Sequence, residues 1–137
     1  MTDSLTVFIP GALKNPLNGG HGHWRKHATT VRRQREKAEL YLLHAMHGRQ
    51  QYDPKTPKRI TFEAVVWNAF DDDNLRACLK PTRDALKSMG VIDDDRSSAG
   101  HTFVYQQRVD RARGGADPRG VRVMIEVLTP ATTTKED

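Results

Sequence analysis

Apolar residues recur along this chain in two periods, and their alternation predicts the elements. Leu5-Thr6-Val7-Phe8-Ile9 is rich in β-branched and aromatic residues and stops at Pro10-Gly11, as a short strand does. Residues 12–24 (ALKNPLNGGHGHW) carry Asn, Gly, Pro and His without periodicity and read as an irregular loop. Over residues 30–47 the period turns helical. Val31, Ala38, Leu42 and Ala45 fall seven, four and three apart, and Gly48 follows as a C-terminal cap. The face opposite is basic, with Arg25, Lys26, Arg32, Arg33, Arg35 and Lys37 in or before its first half.

Ile60-Thr61-Phe62-Glu63-Ala64-Val65-Val66-Trp67 alternates and then becomes wholly apolar, as a strand entering a core does, which places Trp67 in the core. A second helix fits Leu75, Leu79, Thr82, Leu86 and Met89 and ends at Gly90. Pro81 interrupts that pattern. Proline inside a helix costs about 3 kcal/mol, so the helix either starts at Pro81 or kinks there. Residues 101–109 and 121–128 are two more strands, joined by DRARGGADPRG and read as a long hairpin. Residues 129–137 are polar and read as a frayed tail. The prediction is one α+β domain in the order β-α-β-α-β-β, with a small mixed sheet packed by two helices.

Composition narrows the class. With 137 residues, 36% hydrophobic and 28% charged, the chain is neither disordered nor fibrous. A domain of this size hides only about two-thirds of its unfolded surface, so a homodimer would add useful burial. A single cysteine, Cys78, excludes an internal disulfide framework and reads as a small packed residue of a reducing compartment. No leader pattern is seen at the N-terminus, and no apolar run reaches the roughly 18 to 20 residues of a membrane span. A cytoplasmic protein with no membrane association is expected.

The net charge of +5 favours a polyanionic partner, and its distribution says more than its size. Residues 1–70 hold 11 basic and 5 acidic side chains, residues 71–95 hold 4 and 7, and residues 96–137 hold 7 and 5. A basic chain interrupted by one acidic stretch suits a metal-dependent enzyme acting on nucleic acid. The acids are Asp71-Asp72-Asp73-Asn74 and Asp93-Asp94-Asp95. Were the first run extended, Asp71 and Asp73 would face one way with Cα atoms about 6.5 Å apart. Hard divalent ions accept two or three such carboxylates plus water and phosphate. Helix caps and solvated turns are the competing readings of either run alone. For the runs to meet, the chain from Gly90 must return along the second helix, which favours Asp95 over Asp93. Assembly across a dimer is the alternative.

The string DDDN, a following Lys, RDAL and GVIDDD resemble the RusA family of Holliday-junction resolvases, whose pattern is D-x-D-N, Lys, D-A-L, Gly and a D-D pair. The first strand ending in Pro, the loop NPLNGGHGHWRKHA, the basic helix and the terminal VRVMIEVL fall in the same order, so the resemblance covers the chain to about Leu128. It implies metal-binding and catalytic acids at Asp71, Asp73 and Asp95, with Asp94 as the alternate, and the motif Asn at Asn74. In the compact motif the catalytic Lys lies where this chain has Ala77. Counting back from Asp84 gives Lys80, with Arg76 as the substitute. The implied activity is Mg2+-dependent hydrolysis of DNA phosphodiesters, with Mn2+ able to replace Mg2+, cutting a four-way junction by paired symmetric nicks in recombination and repair. Two-fold symmetry of that substrate implies a homodimer. Lys80 would neutralise charge on the phosphate.

Phosphate and base contacts are expected from Asn18, Trp24, Arg25, Lys26, Arg32, Arg33, Arg35, Arg76, Arg111 and Arg113, with Arg108 and Arg119 nearby. His21 and His23 lack the Cys or third ligand of a zinc site. His44 and His47 suit the helix end. No Gly-rich phosphate loop is present, so no nucleotide cofactor is expected. A catalytically silent junction-binding protein of the same fold and a nuclease for other branched DNA are the competing readings.

Overall fold

Strand β2 (Lys58–Val66) organises the molecule, because it is buried along most of its length and has a neighbouring strand on each side. In a computed structural model of the chain, residues 4–13, 24–48, 52–94, 100–112 and 114–128 are described, with side chains in the first helix from residue 28 onward. The remaining elements are β1 (Ser4–Pro10), α1 (Trp24–Ala45), α2 (Asp72–Ser88), β3 (Thr102–Val109) and β4 (Gly120–Val127). The architecture is the α+β one predicted, a four-stranded mixed sheet with two helices in β-α-β-α-β-β order.

The sheet runs β1-β4-β2-β3, which corrects the expected hairpin. β3 pairs with β2 in parallel, Ile60 opposite Phe103, and β4 pairs with the other side of β2 in antiparallel, Phe62 opposite Val123. Burial explains the sorting. Val121, Val123 and Ile125 of β4 are buried and earn an interior place, whereas β3 is mostly half-exposed and lies at the edge. β3 and β4 lie on opposite sides of β2, so no tight turn joins them. The parallel pair requires a crossover, and α2 supplies it.

One sheet face carries Val7, Ile9, Ile60, Phe62, Ala64 and Val123 into the core, against Ala38 and Leu42 of α1 and Leu75, Leu79 and Leu86 of α2. The other face is polar and cross-linked. Glu63 accepts a hydrogen bond from Arg122 directly opposite, and Arg59 lies 3.9 Å from Glu126. Ser88 donates to Glu39 and ties α2 to α1. Toward its C-terminus α1 turns Leu40, Tyr41 and Leu43 outward.

Three local expectations change. Helix α1 begins about a turn and a half before residue 30, and His47 with φ 56° takes the left-handed position after it, next to Gly48. Helix α2 runs through Pro81, which is buried, so it does not start there. Trp67 lies beyond the end of β2 and is 37% exposed, not in the core. Ile60, Phe62, Ala64 and Val66 are the positions carried inward, and Trp67 is out of step with them.

Candidate metal centre and nucleic-acid surface

Asp71 stands at the N-cap of α2 with extended backbone (φ −63°, ψ 154°). Its carbonyl accepts the first helical hydrogen bond, from Leu75 N–H, at 2.8 Å. Its carboxylate makes no capping hydrogen bond. The capping role that would explain an Asp here is therefore not taken up by this side chain. Asp72 and Asp73 form the first helical turn, exposed like Asp71, and Asn74 is half-buried. Extended alternation thus does not set the directions of Asp71 and Asp73, because the helix begins between them. The positive end of the helix dipole favours all three acids.

Two side chains hold this turn. The Gln107 amide accepts from Phe70 N–H at 2.9 Å and donates to the Phe70 carbonyl at 2.8 Å, locking the residue before Asp71 onto β3. Arg111 donates through Nε to the Trp67 carbonyl and through a terminal nitrogen to Asn68 Oδ1, both at 2.9 Å. The acids thus sit beyond the C-terminal ends of the parallel strands, where open α/β sheets commonly present ligand sites. Trp67, Asn68, Phe70, Leu13 and Arg119 line a cleft beside them.

The start of the second acidic run, at Asp93, lies elsewhere. After α2, Gly90 (φ 76°) and the bonds from Gly90 N–H to Lys87 O and Val91 N–H to Leu86 O form a Schellman end. Val91 and Ile92 then enter the core, fully buried. Asp93 N–H donates to Pro54 O, and Asp93 Oδ1 meets His101 Nε2 at 2.9 Å, both near the start of β2. The expected return along α2 is not followed through Asp94, because it would pull Val91 and Ile92 out of the core. The nine residues of β2 place the two ends roughly 26 Å apart. Among the described residues, no three His, Cys, Asp or Glu side chains form a metal-holding group. Asp95 lies outside the described residues.

Hydrogen bonding from His101 holds the Asp93 carboxyl below the usual carboxylate range. Beside it Lys58 is fully buried, and Nζ donates to the carbonyls of Asp53 at 2.6 Å and Thr56 at 2.8 Å. Burial lowers its pKa against the opposing pull of Asp53 and Asp93. Sequence reasoning passed over Lys58, His101 and Gln107. A Lys in a polar connection and a Gln in an edge strand give no periodic signal of burial.

Among the basic candidates, Arg32 and Arg33 are exposed on α1, and Arg35 lies 3.9 Å from Glu39. Lys37 donates to the Pro10 carbonyl at the end of β1. Arg76 covers the Tyr105 ring at 5.1 Å, and Arg83 donates to Tyr105 Oη at 2.6 Å. Lys80 lies seven residues after Asp73, on the same helical face, and pairs with Asp84 at 3.5 Å. Arg108 pairs with Asp110, and Arg119 grips Asp117, pulling that carboxyl down to about 2. Asn18 and Arg113, and the side chains of Trp24, Arg25 and Lys26, lie outside the described residues, as do His21, His23 and the tail.

No protein-family model matches the chain, and no curated protein matches it. No helix among the described residues is long and apolar enough to cross a membrane.

Proposed function

We propose that this chain is a metal-dependent endonuclease of the RusA type that resolves four-way DNA junctions as a homodimer in the cytoplasm. The observation that carries the proposal is the placement of Asp71 and Asp73 at the start of α2, with the Asp71 carboxylate unused as a cap and the preceding residue clamped by Gln107. Exposed oxygen donors on a rigid turn suit Mg2+ or Mn2+. Asp71 and Asp73 would hold the ion from one copy. Asp93 lies at the other end of α2, and the third ligand, with Asp95 preferred and Asp94 its alternate, would come from the partner copy. Bound there, the ion would polarise the scissile phosphate and acidify an attacking water.

The chain's own residues do the rest. Lys80 leaves its exposed pair with Asp84 at little cost and faces developing charge on the phosphate. Arg76 lies a turn closer to Asp73 and takes a flanking phosphate. Arg32 and Arg33 hold the duplex by phosphate contact without reading bases.

Four-way, Y-shaped and linear DNA assayed with and without Mg2+ test the activity. Mg2+-dependent nicking of the four-way substrate is expected, lost in Asp71→Asn and Asp73→Asn with junction binding retained. Binding without nicking in Mg2+ or Mn2+ would instead support the silent reading, and equal cutting of Y-shaped DNA the broader nuclease. Mixing Asp71→Asn and Asp95→Asn chains tests completion across the dimer. Half of the dimers would then carry one intact site, restoring about a quarter of the nicks and no paired cuts. No restoration would return both runs to one chain.

A further inference from the structure

Helix α1 buries one face and leaves an apolar stripe on the other. Ala38 and Leu42 pack in the core, while Leu40, on the side of the helix turned away from them, is 67% exposed and Leu43 is 41% exposed. A single exposed leucine is ordinary on a protein surface, but two on one stripe mark a contact face. The stripe is longer than this pair. Arg33, Glu36, Leu40, Leu43 and His47 follow one another at steps of three, four, three and four, the spacing of a seam between two paired helices. His44 and His47 lie beside Leu40 and Leu43 around a shallow hollow. Arg33, Glu36, His44 and His47 are all exposed. The two leucines therefore have an acid at one end and imidazoles at the other.

We propose that this stripe pairs with the same stripe of a second copy, the two α1 helices running antiparallel about a two-fold axis level with Tyr41 and Leu42. That pairing sets Leu40 against Leu43 of the second copy. It also sets Glu36 against His47 of the second copy, whose ring N–H donates to the carboxylate. Parallel pairing would oppose Glu36 to Glu36 and Arg33 to Arg33, at a like-charge cost. The overlap, residues 36 to 47, is roughly 17 Å long and 10 Å wide. A standard interface covers about 800 Å² per copy, so the dimer is a weak one that depends on concentration. Arg32 and Arg33 fall outside the overlap on each side of the axis and stay open to phosphate. The inference rests on the homodimer of the proposed function and not on its metal site.

Sedimentation equilibrium of the whole chain without DNA, from about 1 to 500 μM, should show monomer and dimer in exchange. The double variant Leu40→Glu, Leu43→Glu should weaken the dimer at least about 10-fold, and its thermal melt should stay near wild type because both positions are exposed. A wild-type chain that is monomeric at every concentration, or a dimer untouched by the two glutamates, overturns the interface. Orientation is read with a short bismaleimide in a Cys78→Ala background. Glu36→Cys and His47→Cys chains, when mixed, should crosslink. Glu36→Cys alone should not, because antiparallel pairing holds its two copies roughly 16 Å apart. Crosslinking of Glu36→Cys alone, or none in the mixture, overturns the antiparallel pairing, and this arm decides if the glutamate variant does not fold. Mg2+-dependent nicking by a chain shown to be monomeric overturns the interface and leaves the nuclease standing. A dimer that passes these tests and never nicks does the reverse.

Discussion

Gln107 holds both backbone groups of Phe70, as a neighbouring peptide would in a sheet, although the two residues belong to an edge strand and an irregular turn. Removing this clamp leaves a half-buried N–H and C=O without their partner. Gln107→Leu should cost about 1 to 3 kcal/mol in denaturant melts. Under the proposed function it should also lower cleavage more than junction binding, because the turn it releases carries Asp71.

Burial raises the Cys78 thiol from 9.0 to about 11. A raised folded pKa means that the unfolded chain loses its proton first. The stabilisation is complete below pH 9 and is lost as pH rises through about 11, amounting to on the order of 2 kcal/mol. Urea melts at pH 8 and pH 11 should show that alkaline loss reduced in Cys78→Ala.

Arg32 and Arg33 should act on DNA affinity through charge alone. Replacing each with Gln should reduce the slope of log affinity against log salt by about 1 per contact and weaken all DNA sequences alike. A change confined to one sequence would mean base contact instead.

Lys80→Gln should reduce cleavage by about 10² or more at unchanged junction affinity, as loss of a charge-stabilising group does. Arg76→Gln should instead weaken binding. The reverse pattern would assign the motif's catalytic cation to Arg76.

The exposed position of Trp67 predicts that Trp67→Ala costs under about 1 kcal/mol, against 3 to 5 for Phe62→Ala in the core. Its fluorescence should respond to added junction DNA, since it lines the cleft beside Asp71.

What could be read from sequence was local. Ile60 to Val66, Leu75 to Leu86 and the Gly90 stop were legible because burial and helix ending leave periodic marks. The pairing of β3 was not, because the sequence places β3 and β4 next to one another and the apolar content of β2 separates them. The fork in the acidic site had a similar cause. Chain reach let the run leave Gly90 along α2, but Val91 and Ile92 are apolar enough to hold the residues before Asp93 in the core. Lys58 was illegible because its Nζ partners are backbone carbonyls, which carry no residue identity, and His101 because it joins a backbone N–H 43 residues away to the Asp93 carboxylate.

The distance between Asp71 and Asp93, at opposite ends of β2, has a kinetic consequence under the proposed function if the partner copy supplies the third ligand. A lone chain would be inert toward DNA, and nicking at low concentration would rise with roughly the square of the amount of protein present. Roughly 26 Å of β-strand within one chain would then act as a safety interlock between two.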